Sequence, residues 1–381
     1  MELKNNDVLI ITNTDWFFLL HRSAIANSFK NEGCNITVAT RNTGKKNDII
    51  ELGYNFVDVD FDRKGTNIIK ELRALIQLNK VFKVIKPDLV YQVTIKPVIY
   101  GGVLSKIYKT KIINTICGLG YVFSKSKYSF FKKGIIVLYK LSLKNSNSFT
   151  FFENKDDRNY FLKLNLVDLN NSGVVNGAGV DLNKFKKLSY TEEDQDKKLV
   201  VILPTRMLWN KGIKEFVEAA NILRDKYENK VFFKLYGMVD IDNPESISVD
   251  YLNNIEIPDY LKWFGFVEDM VSVYNEANIV VLPSYYGEGL PTVLAEACAM
   301  NLPIITTNSV GCRECVDDGI NGFKIPVKSS KELAEAVNKI LSDSDLRIEM
   351  GKASRIKAER EFDQIKIVSE YKRVFVSLLK K

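Results

Sequence analysis

Short apolar, β-branched runs alternate with stretches of helical period along the whole chain. In the first half they are VLIIT (8–12), ITVAT (36–40), NFVDVD (55–60), DLVYQVT (88–94), KIINTI (111–116) and SFTFFEN (148–154). In the second half they are LVVILPT (199–205), VFFKLYG (231–237), KWFGF (262–266), NIVVLPS (278–284), PIITTN (303–308) and GFKIP (322–326). Strand–helix alternation of this kind predicts two doubly wound parallel α/β domains. The break falls near 174–198, which is rich in Gly, Asn and charge and has little periodicity. We therefore expect an N-terminal domain over 1–180, a C-terminal domain over 181–361 and a closing helix over 362–381. That helix has Phe362, Ile365, Val368, Tyr371, Phe375 and Leu378 at spacings of three and four, which predicts one apolar face. Open parallel sheets bind ligands at the carboxyl ends of their strands, so two such sheets facing one another would make a cleft.

Composition narrows the class. A chain of 381 residues with 46% hydrophobic content can supply two cores. No uninterrupted run of about 18 apolar residues occurs, and MELKNNDVLIIT runs straight into a strand pattern, so neither a membrane span nor an export leader is expected. Five cysteines form no disulfide framework, and Cys312 with Cys315 is a single C-x-x-C lacking a second ligand pair. Free thiols are expected. Asp58, Asp60 and Asp62 alternate along a strand pattern and could share a cation, but they lie far in sequence from the other candidate chemistry. A net charge of +7 favours an anionic surface or ligand, and His21 is the only imidazole.

The stretch SYYGEGLPTVLAEACAMNLP (284–303) raises the sharpest question, because Glu288 and Glu296 straddle Gly289, Leu290, Pro291 and Thr292. Pro291 suits the first helical position, and Val293, Leu294 and Ala297 have the spacing of a buried face, so a helix is expected from residue 290 or 291. Backbone N–H groups at a helix start attract phosphates. Carboxylates do not, so both glutamates are better suited to hydroxyls attached to such an anion. A sugar nucleotide has phosphates flanked by two hydroxyl-bearing sugars. A plain amphipathic helix with a solvated glutamate accounts for the same stretch. After the first strand of the second half, PTRMLWNKGIKEF (204–216) places Arg206 at a strand's carboxyl end and Lys211 just before the next helix. Two cations there could neutralise a diphosphate.

TRMLWNKGIKEF, GFVEDM, VLPSYYGEGLPTVLAEACAMNLPIITTNSVGCRECVDDGINGF and the earlier CGLGYVFS together resemble the retaining glycosyltransferases of family 4. The resemblance implies the GT-B fold: two facing Rossmann-like domains, a central cleft and a C-terminal helix crossing back to the first domain. Within the family the chain is most similar to bacterial enzymes that transfer N-acetylhexosamines or related sugars to polyprenyl-linked glycans. It implies that Arg206 and Lys211 hold the donor diphosphate, that Glu296 binds the nucleotide ribose, and that Glu288 with the main chain of Gly289 to Thr292 holds the donor sugar and phosphate. The main chain around Phe266 would meet the base. UDP is favoured over GDP by the resemblance alone. It further implies transfer with retention, no metal and no cofactor, a lipid-linked saccharide acceptor and no nucleic-acid partner; oligomeric state stays open.

Two departures stand out. TNTDWFFLLHR takes the place of a Gly-rich loop after the first strand, and TICGLGY (115–121) lacks a histidine common in the family. Asp15 and His21 are the acceptor-side candidates, with a structural histidine an equal alternative. Rival readings are a sugar-nucleotide epimerase or hydrolase, which the scarcity of histidine disfavours, and a catalytically silent sugar-nucleotide-binding subunit of a glycan-assembly complex. In GYVFSKSKYSFFKKGIIVLYKLSLK (120–144), Lys125, Lys127, Lys132 and Lys133 alternate with aromatics, a composition suited to an anionic membrane interface. The expected location is cytoplasmic, peripheral on the inner face of the cytoplasmic membrane.

Overall fold

The computed structural model describes residues 4–62, 68–119, 129–187, 198–241 and 243–380, the side chains of 129–131 excepted. They form two compact units, Met1–Ala178 with Gln364–Lys381, and Gly179–Asp363.

The first unit is a parallel sheet of β1 (Asp7–Ile11), β2 (Asn35–Thr40), β3 (Asn55–Asp58), β4 (Leu89–Val93), β5 (Lys111–Ile116), β6 (Ser148–Phe152) and β7 (Ser172–Val174). Their order is β3-β2-β1-β4-β5-β6-β7. Parallel strands between two helix layers are buried on both faces and read as unbroken apolar runs, which is why β1 to β6 are visible in the sequence. β7 is not, because its three residues, SGV, offer no run to detect. On one face the sheet packs against helix Ser23–Asn31 and the C-terminal helix Gln364–Leu379, whose Tyr371 and Phe375 join Ile25 and Phe29 in one core. On the other face Ala74, Leu78 and Phe82 of helix Ile68–Ile85 meet Leu104 of helix Ile95–Tyr108. Helix Ser129–Leu143 adds Ile135 and Tyr139 beside Val98 and Ile99. Gly102 permits close packing of the last two helices, since a Cβ there would stand 2.6 Å from that of Ser142.

The C-terminal helix departs from the expected face. It begins at Gln364 and turns Ile367, Tyr371, Val374, Phe375 and Leu378 inward, leaving Ile365 exposed. Phe362 precedes it and belongs to the core of the second unit. The sequence spacing was right, but it could not tell that the stretch Ala358–Phe362 forms a separate π-helical turn ahead of the helix.

Inside the first unit Arg22 is 2% exposed and pairs with Glu153 at 2.6 Å, while its Nη2 also donates to Cys117 Sγ at 2.9 Å. This pair links the start of helix Ser23–Asn31 to the carboxyl ends of β5 and β6.

The second unit is a parallel sheet of β8 (Leu199–Pro204), β9 (Val231–Tyr236), β10 (Leu261–Trp263), β11 (Ile279–Leu282), β12 (Ile304–Thr307) and β13 (Gly322–Ile325), ordered β10-β9-β8-β11-β12-β13. Helices Ile213–Tyr227, Thr292–Ala299, Ser330–Leu341 and Ser344–Lys357 surround it around a single apolar core. Among the described residues no helix is long and apolar enough to cross a membrane.

Candidate functional site

The strand order of the second sheet reverses between β8 and β11, and a crevice opens at such a switch point beyond the carboxyl ends of the strands. The loops that follow β8 and β11 carry the four charged residues singled out in the sequence, except that Glu296 lies further on, in the helix after β11. In the β8 loop, Trp209–Lys211 forms a 3-10 turn, and Gly212 at φ 82° starts helix Ile213–Tyr227. A Cβ at Gly212 would stand 2.4 Å from the Pro283 carbonyl oxygen, so only glycine lets the two loops close on one another.

That closure brings Lys211 and Glu288 together. Lys211 Nζ donates to Glu288 Oε1, both side chains being largely buried, and Ser284 Oγ donates to the same oxygen at 3.0 Å. The Tyr285 N–H donates to the Asn210 carbonyl at 3.1 Å, which fixes the β11 loop to the β8 turn. Glu288 thus holds the lysine amine in place, a role that its position in the sequence does not reveal. Arg206 is more exposed and its Nη1 donates to Asp240 Oδ2 at 3.0 Å, so the loop after β9 orients it.

The helix after β11 runs Thr292–Ala299, with Pro291 at φ −64° as its N-cap. Pro291 therefore stands one position earlier than the sequence suggested. Its preset φ still suits a helix start, while its ψ of 111° is that of the extended residue before one. Gly289, Leu290 and Pro291 are buried and Thr292 is half-buried. Behind them Gly311, at φ 83°, would place a Cβ 2.5 Å from the Gly289 carbonyl oxygen and 2.6 Å from that of Glu288. Gly311→Ala is expected to push the loop 288–290 outward and to weaken nucleotide binding about tenfold or more, as misplacement of a preorganised site does; calorimetry with UDP checks it, and unchanged affinity would show that the loop tolerates the displacement.

Glu296 lies within the helix, half-buried, and accepts a hydrogen bond from the Tyr274 hydroxyl at 2.9 Å. Burial pushes its carboxyl up to about 7, although Tyr274 and the charge of Lys184 act in the other direction. Phe266 is exposed and follows Gly265, whose carbonyl accepts from the Gly237 N–H at 2.7 Å. Its main chain therefore lies beside the carboxyl end of β9. Asp240, Tyr274, Ser284 and Gly311 went unremarked in the sequence; each acts through a loop from another strand, and only the order of strands brings them near.

The acceptor-side candidates belong to the first unit. Asp15 was expected in an open loop, and the structure corrects this: it is the first residue of helix Asp15–His21 and is fully buried. Its carboxylate accepts from the N–H groups of Trp16, Thr43 and Lys45 and from the Thr43 hydroxyl. Burial alone would raise its pKa, and these donors outweigh burial and lower it. An oxygen pair so engaged is poorly placed to take a proton. His21 packs on Phe17 with ring centroids 5.0 Å apart, and burial, aided by Arg22, pushes its pKa down to about 4, so it is a neutral imidazole at neutral pH. At the switch point of this sheet, between β1 and β4, Thr94 adopts φ 75°, a strained conformation for a β-branched residue.

Asp58 accepts from the Asn42 N–H at 3.0 Å, and Asp60 and Asp62 each lie 4.0 Å from a cation, Arg41 and Lys70. Among the described residues no three His, Cys, Asp or Glu side chains gather as metal ligands. Of the lysine–aromatic stretch, 120–128 lies outside the described residues.

Residues 7–154 match the family model Glycosyl transferase 4-like, and residues 185–357 match Glycosyl transferases group 1. The chain is 29% identical over 342 residues, 87% of its length and 88% of the relative's, to the N,N'-diacetylbacillosaminyl-diphospho-undecaprenol alpha-1,3-N-acetylgalactosaminyltransferase of Campylobacter jejuni. It is 23% identical to the UDP-Gal:alpha-D-GlcNAc-diphosphoundecaprenol alpha-1,3-galactosyltransferase of Escherichia coli, covering 92% of this chain and 90% of that one. Anabaena HepE in complex with UDP and glucose superposes with a TM-score of 0.78 at 18% identity, covering 98% of this chain and all of that one. At that identity the likeness speaks for the GT-B fold alone.

Proposed function

Because the chain belongs to the glycosyltransferases, group 1 in its second half and 4-like in its first, we propose that it moves a sugar from a UDP-sugar to a polyprenyl-diphosphate-linked saccharide during assembly of a bacterial surface glycan. An N-acetylhexosamine or related sugar is the favoured cargo. The observation that carries this reading is the meeting of Lys211, Glu288 and the start of helix Thr292–Ala299 at one switch point, with Arg206 on the neighbouring loop. The names of the Campylobacter and Escherichia relatives, both acting on diphosphoundecaprenol-linked sugars, support the acceptor class. The UDP bound in the Anabaena structure supports the donor class.

In this reading the anomeric C–O bond to the distal phosphate breaks while an acceptor hydroxyl attacks from the same face, retaining configuration. Negative charge grows on the distal phosphate. Lys211, Arg206 and the free N–H groups at the helix start stabilise it, and those interactions strengthen as the bond breaks. The leaving phosphate takes the acceptor's proton, so no protein base is needed, consistent with a saturated Asp15 and a neutral His21. Charge compensation by two cations and a helix start also removes the need for a metal or other cofactor. Work on a lipid-linked acceptor would place the protein on the inner face of the cytoplasmic membrane. Incubation with a panel of UDP-sugars and a lipid-linked saccharide tests the reading. Expected are a product heavier by one sugar, an anomeric configuration unchanged from the donor by NMR, and full activity in EDTA. Inverted product or activity lost to EDTA and restored by a divalent cation would overturn the mechanism.

Glu296 gives the site a pH dependence. Its raised pKa means that the stability it contributes is fully present below about 4.5 and is lost as pH rises through about 7. Ribose hydroxyls donate to the ionised carboxylate, so UDP binding should weaken as pH falls from 8 to 6, by up to about tenfold per unit below the folded pKa. Glu296→Gln should remove that slope, with UDP's own titration common to both proteins. Parallel profiles would take Glu296 off the ribose.

A further inference from the structure

One helix layer of the first unit carries more apolar surface than the sheet beneath it can bury. In helix Ile68–Ile85, Ala74, Leu78, Val81 and Phe82 are buried, while Ile68, Ile69, Leu72 and Ile76 stand 53 to 74% exposed. Those four positions follow i, i+1, i+4 and i+8 and so form one stripe on the side of the helix away from the core. Helix Ser129–Leu143 repeats the pattern: Ile135, Tyr139 and Leu143 are buried, and Val137, Leu138 and Leu141 are 41 to 56% exposed. Helix Ile95–Tyr108 packs between these two and exposes Ile107 at its end. Contiguous apolar surface of this kind marks an interaction face.

Its charge says what it meets. The three helices hold four, two and three Lys or Arg residues in chain order and a single acid, Glu71. That carboxylate is taken up by Lys96 Nζ at 2.5 Å and by the Tyr100 hydroxyl. Arg73, Lys80, Lys83, Lys133 and Lys140 are exposed on the same two outer helices as the apolar stripes. On the opposite face of the sheet the C-terminal helix is mixed in sign, with Arg373 paired to Glu370 at 2.8 Å and Lys372 bonded to Glu32. A row of aliphatics among cations, with no exposed acid, is the composition of a helix that lies in the interface of an anionic bilayer.

We propose that the outer faces of helices Ile68–Ile85 and Ser129–Leu143 are an anionic-lipid docking surface, with the aliphatic stripes entering the headgroup boundary and the cations meeting lipid phosphates. The inference rests on the reading of a lipid-linked acceptor and supplies the surface that brings the protein to it. It also moves the membrane contact from the lysine–aromatic stretch at 120–133 to a pair of helices.

Flotation of the full-length protein is the test, with vesicles of phosphatidylcholine alone and with about one third phosphatidylglycerol. Wild type should float with the anionic vesicles and not with the neutral ones. The Ile69→Ser, Leu72→Ser, Ile76→Ser variant should lose vesicle binding about tenfold or more, with its melting temperature unchanged because those side chains are exposed. The Lys80→Glu, Lys83→Glu variant, which keeps the stripe, should lose binding as well. Binding of the serine variant within about twofold of wild type overturns the proposal. So does equal flotation on neutral vesicles, or a concentration-dependent dimer that the serine substitutions dissolve. UDP affinity measured on the same preparations separates the two readings: intact UDP binding with absent flotation removes only the docking surface, and absent UDP binding removes the sugar-transfer reading whatever the vesicles show.

Discussion

Replacing Lys211 with alanine is expected to cut turnover by about two orders of magnitude or more, the scale for losing a preorganised donor aimed at developing charge. The effect should exceed that of Arg206→Ala, because Lys211 is largely buried and held by Glu288, whereas Arg206 is more exposed and shares its charge with Asp240. Without the lysine, a carboxylate also faces the donor phosphates with its cation removed, which adds repulsion to the lost attraction. Lys211→Arg should rescue little, since a planar fork does not fit a pocket shaped for a single ammonium between the β8 turn and the β11 loop. Steady-state rates with saturating donor, alongside UDP affinity, are the measurement. Near wild-type turnover would remove Lys211 from the leaving group.

Glu153→Ala is expected to destabilise the first unit by about 3–5 kcal/mol, because it strands Arg22 as an unpaired charge in the interior. Arg22 has little else to turn to: its Nε and Nη1 have no hydrogen-bond partner, and the Cys117 thiol, kept protonated by burial, is a weak acceptor. The joint change Arg22→Met with Glu153→Leu removes both charges and should recover most of the loss, since a well-packed apolar pair often equals a buried ion pair. Urea unfolding followed by a probe in the first unit distinguishes the variants. A single variant as stable as wild type would mean that water reaches the guanidinium.

Much of the fold was legible because parallel strands buried on both faces leave apolar runs that nothing on the surface imitates. β1 to β6 and β8 to β13 all appear as such runs, while β7, with three residues and a glycine, leaves no trace. The last helix shows the limit of periodicity. Its spacing was readable, but which apolar residues face inward depends on where the helix starts, and that was decided by the π-helical turn before it. The site was readable wherever its chemistry sits next to its structural signal, as with Glu288 and Glu296 around the start of a helix. It was not readable where partners come from different strands. Asp240 on Arg206, Tyr274 on Glu296, and Glu288 itself on Lys211 are set by the β10-β9-β8-β11-β12-β13 order, which no local pattern encodes. Asp15 misled for the same reason: in sequence it is an acid in a polar loop, and only the fold brings the Thr43 and Lys45 amides onto it.

The most direct test of the central claim is a crystal structure with UDP bound. The account predicts the diphosphate between Arg206, Lys211 and the N–H groups that begin helix Thr292–Ala299, the ribose hydroxyls on Glu296 and the base beside the main chain at Phe266. A nucleotide bound elsewhere in the second unit, or on the first unit, would contradict it.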